Sequence, residues 1–165
     1  MTPAELLVDA LVRVRDSAVA AVEGLDDDRL AHRPAPGANS IAWLVWHLAR
    51  VQDDHIAGVA DLDQVWTAQG FEERFDLGVG DAIGYGMSSD EVGRVRAGAE
   101  LLAAYVEAVH AQSVGWVETL QPADLDRVVD DSWDPPVTLG VRLLSVVNDD
   151  LQHAGQAAYV RGLLT

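Results

Sequence analysis

Residues 39–55, NSIAWLVWHLARVQDDH, spell a capped helix that needs burial on most of its surface. Asn39 and Ser40 are good N-cap residues, because their side-chain oxygens accept a backbone N–H of the first turn. Ile41, Leu44, Val45, Leu48, Val51 and Ile56 then recur at helical spacing and face a core. The spacing predicts a helix over 40–59. Trp43, Trp46 and His47 stand inside its apolar run. The histidine is the odd member, since a buried polar group needs a partner.

Outward from this helix the pattern repeats. Toward the N-terminus, Thr2 and Glu5 form a capping box with Pro3 at the first helical position. Leu6, Leu7, Ala10, Leu11, Val14, Ala18, Val22 and Leu25 extend an apolar stripe, predicting a helix over 3–24 that Gly24 can stop. The stretch DDDRLAHRPAPG between these two helices is read as a short acidic turn and loop, with Asp26 to Arg29 as a solvated helix start. On the other side, 60–87 carries Gly70, Gly78, Gly80, Gly84 and Gly86 and a short helix near DLDQVW. A connection this long wraps over the bundle rather than closing a corner. Ser88 and Glu91 repeat the capping box and open a third helix, expected over 89–120, with Gly93, Gly98 and Gly115 as its weak points. A one-turn helix is expected at 122–125, and a last helix over 138–164, with Leu139, Leu143, Leu144, Val147, Leu151, Ala154, Ala158 and Leu163 on its apolar side. No run of strands stands out. The expected class is all-α: a four-helix bundle with long crossover connections, one domain over 1–165.

Composition narrows the function. The chain has 165 residues and a formal net charge of −16, with 11 basic residues, all arginine, against 27 acidic ones. A chain so acidic, with no basic stretch, is repelled by nucleic acid and by anionic membranes. No run approaches the roughly 18–20 apolar residues of a membrane span, and the first residues do not read as a signal peptide, so a cytoplasmic protein is expected. There is no cysteine, which excludes disulfides, thiolate ligands and a cysteine nucleophile.

The chemistry concentrates in two segments. One is His47 in the second helix. The other is VVNDDLQHAGQAAYVRG, residues 146–162, where Asp149 and His153 lie four apart and project from one helix face. Facing helices of a bundle supply metal ligands. His47, Asp149 and His153 would give a two-histidine, one-carboxylate set with an open position, suited to catalytic zinc and also to ferrous iron. Gln156 stands three residues beyond His153, as a group that supports the ring or holds a bound substrate. The bland alternatives remain open at this point. His47 alone also fits a hydrogen-bonded core histidine, Asp149–His153 also fits an ion pair of about 0.2–0.5 kcal/mol on a helix surface, and Asp150 is the neighbouring alternative carboxylate.

With these residues in view, the sequence resembles the DinB-like superfamily of bacterial metalloproteins, the YfiT-type four-helix bundles. The likeness lies in NSIAWLVWHLARVQDDH and DDLQHAGQAAYVRG, and in their spacing and helix order. The family pattern has a histidine on the second helix and an H-x-x-x-H pair on the fourth, often followed by G-Q. His47 matches the first ligand, His153 the last, and Gly155–Gln156 the G-Q. The remaining ligand falls on Asp149, a departure that agrees with actinobacterial branches carrying an acid there. Within the superfamily the chain is most similar to the mycothiol S-transferases, and the absence of lysine agrees with a GC-rich actinobacterial source.

That resemblance implies a divalent metal, most simply Zn2+, and mycothiol as cosubstrate, with a small electrophile or xenobiotic as the second substrate. It leaves open a related isomerase or metal hydrolase, a non-enzymatic binding bundle, and a monomer or homodimer. Trp46 and Asp54, on the histidine's helix, are further candidates for the ligand pocket, with Trp133 from the last connection. Arg50 and Arg161 are expected in ion pairs, and His32, His55 and His110 at the surface.

Overall fold

The structure is a computed structural model that describes residues 1–164. Four long helices form the bundle: α1 (Pro3–Val22), α3 (Ile41–Ala60), α7 (Ala99–Val117) and α8 (Leu139–Leu163). Each of α1 and α3 packs against both α7 and α8, so α1 lies diagonal to α3 and α7 diagonal to α8. Both diagonal steps need crossovers. A short helix, α2 (Asp27–Ala31), takes the first, and a 3-10 turn with a small hairpin takes the second.

The predicted caps act as expected: Thr2 and Glu5 close a reciprocal capping box on α1, Ser88 and Glu91 close another, and Ser40 accepts from Trp43 N. Thr138, expected inside the last helix, is its N-cap and accepts from Val141 N. Helix α3 is the central element, for every residue of the run 41–53 is buried. A helix buried on all sides carries little periodic signal about which face meets which neighbour.

Several expectations need correction. The third helix is not continuous. A capped segment, α6 (Ser89–Arg94), ends where Val95 turns extended (φ −72°, ψ 97°), and α7 restarts after Gly98, which serves as its N-cap. Val95 is buried, so the break swings an apolar side chain into the core. Helix α7 then ends at Val117 rather than Leu120.

The helix start expected at 26–29 is there: the DDDRLAHRPAPG connection contains α2, capped by Asp26 through Arg29 N. The long connection carries α4 (Val65–Ala68), close to the expected short helix, and also α5 (Phe71–Phe75), which was not expected. After the 3-10 turn at Pro122–Asp126, β1 (Val128–Asp130) pairs antiparallel with β2 (Val137–Thr138), strands too short to show alternation. On α8 the buried face runs through Leu139, Leu143, Val146, Val147, Asp150, Ala154, Ala157 and Val160. Leu144, Leu151 and Leu163 of the expected stripe are exposed, as is Leu6 on α1. Leucines on both sides of α8 blur its phase.

A buried polar network ties the long connection to α3. Asp53 accepts from Val65 N, Trp66 N and the Tyr105 hydroxyl, each at 2.8 Å. Arg50, wholly buried, donates to Gln64 Oε1, to the carbonyls of Asp81 and Ala82, and to Tyr105 Oη. It pairs with Asp53 at 3.6 Å and lies over the Trp66 ring. The ion-pair expectation for Arg50 thus holds. Arg161 instead donates to the carbonyls of Ala21 and Glu23, clasping the end of α1. This anchoring brings the glycine-rich segment 78–87 back over α3. Among the described residues no helix is long and apolar enough to cross a membrane.

Candidate metal centre

Because α3 packs along α8, His47 meets Asp149 and His153. One ligand atom from each of these three residues lies within 4.8 Å of the others. The side chains are held individually. His47 is buried, with Trp43 stacked on its ring at 4.4 Å and 20°. Its Nδ1 donates to the Ile83 carbonyl. Gly84 lies against the same ring, where a Cβ would overlap Nδ1, and its φ of +110° disfavours any other residue. The His153 ring stands edge-on to His47 at 4.8 Å, and its Nδ1 bonds Gln156 Oε1 at 2.9 Å. With both Nδ1 atoms engaged, Nε2 is the nitrogen each ring leaves for a metal.

The carboxylate is asymmetric. Asp149 Oδ1 accepts from the Tyr85 hydroxyl at 3.3 Å. Its Oδ2 is buried without a hydrogen-bond partner, 3.7 Å from His153 Nε2. An orphaned buried oxygen facing imidazole nitrogen is an arrangement that could hold a cation. Two nitrogens and one oxygen form a donor set that suits zinc or ferrous iron. Burial holds His47 below the ordinary histidine value, against the opposing pull of the Ile83 carbonyl. That keeps the ring neutral, as ligation requires. Asp149 rather than Asp150 joins the histidines. Asp150 is fully buried with neither oxygen hydrogen-bonded, and burial, followed by the charge of Asp149, pushes its carboxyl well above the usual carboxylate range.

A cleft of about 340 Å³ opens beside Asp149, walled by His55, Tyr85, Trp133, Arg142 and Asn148. Trp133 therefore lines a pocket, as anticipated. His55 is not a free surface residue: Arg142 Nη1 lies 3.2 Å from its Nδ1, and burial lowers its pKa. His110 is likewise half-buried rather than exposed. A larger cavity of about 530 Å³, between the start of α1 and the end of α7, includes none of the three clustered residues.

Two expected pocket residues lie elsewhere. Trp46 is fully buried in the core, edge-on to Trp66 at 6.3 Å, and takes no part in the cluster. It is Trp43 that faces α8. Asp54 accepts from Gln64 Nε2 at 2.9 Å, toward the long connection. Seven residues return Asp54 to nearly the same helix face as His47 but about 10 Å further along the axis. Gln156 stands at the cluster through His153. Sequence reasoning missed Ile83, Gly84 and Tyr85, whose one signal is the G-Y-G triplet at 84–86.

The comparisons with known proteins agree with this architecture. The sequence profile described as the DinB superfamily matches residues 10–157. A solved structure, described as the conserved protein of a locus from Enterococcus faecalis, is 31% identical with a TM-score of 0.91, covering 98% of this chain and 96% of that one. No curated protein is significantly similar to the chain.

Proposed function

We propose that this chain, which belongs to the DinB superfamily, is a metal-dependent transferase that joins a low-molecular-weight thiol, mycothiol, to small electrophiles. The observation that carries the reading is the donor set. Two imidazoles, each tied back through Nδ1, converge with one carboxylate whose buried Oδ2 has no hydrogen-bond partner. His47, Asp149 and His153 would hold a divalent metal, most simply Zn2+, and leave a position open. A thiol has a pKa of about 8.5 in water, and a metal held there would supply the positive charge that favours its thiolate.

The chain's own residues supply the rest. It has no cysteine, so the sulfur nucleophile comes from a cosubstrate. Asp149, in place of a third neutral ligand, lowers the net charge of the set and leaves a sulfur beside it more electron-rich. Trp43 and the 78–87 segment shield His47, while the cleft at Asp149 gives both substrates access. His55, Arg142 and Asn148 line that cleft with polar groups suited to a hydroxylated thiol. In the reaction the sulfur forms a bond to the electrophilic carbon. The leaving group departs with its electron pair, and the thiol proton passes to solvent.

The test is conjugation of mycothiol to a chromogenic aryl halide by the zinc-loaded protein, beside His153→Ala. Thiol-dependent product from the native chain alone supports the reading. Turnover of an ester or amide without thiol would replace it with a hydrolase.

A further inference from the structure

Three consecutive residues reach the cluster from outside its two ligand-bearing helices. Ile83 accepts from His47 Nδ1, Gly84 packs on the same ring, and Tyr85 stands edge-on to His47 at 5.1 Å. The Tyr85 hydroxyl donates to Asp149 Oδ1 at 3.3 Å, a long hydrogen bond. It makes the two oxygens of Asp149 unequal. Oδ1 has a donor, whereas Oδ2 is buried, has none, and lies 3.7 Å from His153 Nε2.

The chemistry of the donor set gives this asymmetry a purpose. Each imidazole offers a metal one nitrogen. A carboxylate offers two oxygens, and one that turns to use both raises the coordination number and crowds the position left for a substrate. We infer that Tyr85 is a positioning residue for the cluster: by holding Oδ1 it presents Oδ2 as the single atom Asp149 offers to a metal. The inference rests on the metal-site reading above. Tyr85 is suited to the task because its ring is braced against His47 while the side chain stays 62% exposed, so its hydroxyl holds up no part of the core. The glycines on either side, at φ +110° and +75°, set the backbone that carries the ring there.

The experiment titrates Co2+ into the metal-free native chain and into Tyr85→Phe, following the visible absorption bands. Four-coordinate cobalt absorbs several-fold more strongly than higher-coordinate cobalt. The native chain should give the intense spectrum. Tyr85→Phe should give a weaker one and bind about tenfold less tightly, with no change in the thermal midpoint of the metal-free protein. In an Asp149→His background, where the ligand has one donor atom, Tyr85→Phe should leave the spectrum unchanged. Tyr159→Phe, at an exposed tyrosine elsewhere on α8, should bind like the native chain.

Identical spectra and affinities for the native chain and Tyr85→Phe would overturn the inference and leave the metal site standing. So would a loss of metal-free stability without a spectral change, or a spectral effect persisting in the Asp149→His background. Failure of the native chain to bind Co2+ would overturn the metal-site reading itself, and this inference with it.

Discussion

Helix α3 carries two buried polar assemblies less than two turns apart, and they are built on opposite principles. Around Arg50 and Asp53 the polar side chains are engaged: two backbone amides and a phenol satisfy the carboxylate, while two carbonyls, an amide oxygen and a phenol oxygen satisfy the guanidinium. Around His47 the partners run out. Each imidazole is satisfied on one nitrogen, Asp149 Oδ2 is satisfied by nothing, and Asp150 lies unpartnered behind it. A closed network of this kind fixes a loop to a core. An open one of matching donors could hold a ligand. The first is wholly buried around a guanidinium–carboxylate pair, whereas Asp149 and His153 of the second are only partly buried; the unfilled hydrogen-bonding capacity distinguishes them further.

The comparison breaks most visibly under removal of one partner. Asp53→Ala leaves Arg50 buried without its counter-ion and should cost about 3–5 kcal/mol, equally with and without zinc, by chemical denaturation. A loss confined to the zinc-loaded protein would place Asp53 in the site and undo the contrast. His153→Ala should behave in the reverse way. Saturating zinc, at about a thousand times its dissociation constant, should stabilise the native chain by about 4 kcal/mol, and His153→Ala should lose that increment while its metal-free stability stays within about 1 kcal/mol of native.

Gly84→Ala probes the junction between loop and cluster. The added methyl meets His47 at a backbone φ of +110°. It should cost about 1–3 kcal/mol of stability and weaken zinc binding as well, both read from thermal melts with and without metal.

The smallest effect concerns His55, whose Nδ1 faces Arg142. Burial holds its folded-state pKa below the ordinary 6.5. Its contribution to stability is therefore complete above about pH 6.5 and lost as pH falls through the lowered value. Metal-free His55→Asn should lose less stability than the native chain between pH 7.5 and 5, by about 1 kcal/mol or less. An unchanged acid-side slope would remove His55 from the account.

How much of this was legible in the sequence follows from the kind of signal each feature leaves. Thr2, Ser40 and Ser88 announce helix starts because capping is local chemistry. The break at Val95–Gly98 was hidden, since Gly93 and Gly98 are as compatible with a bent helix as with a broken one. The hairpin was hidden because strands of three and two residues are shorter than the alternation that reveals them. Within the site, Asp149, His153 and Gln156 show through i,i+3 and i,i+4 spacing on one helix. Trp43 was legible by the same rule, because it stands four residues before His47 and shares its face, whereas Trp46, one residue before, points to another side of α3. Ile83 and Tyr85 were beyond periodicity. They come from a connection, and Ile83 acts through a backbone carbonyl that every residue possesses.

The central claim, that His47, Asp149 and His153 form one metal site, is tested most directly by calorimetric titration of Zn2+ into the metal-free native chain and His153→Ala. The account predicts one ion bound tightly per native chain, and binding lost or weakened at least a hundredfold in the variant. Equal binding by the two proteins, or none by either, would contradict it.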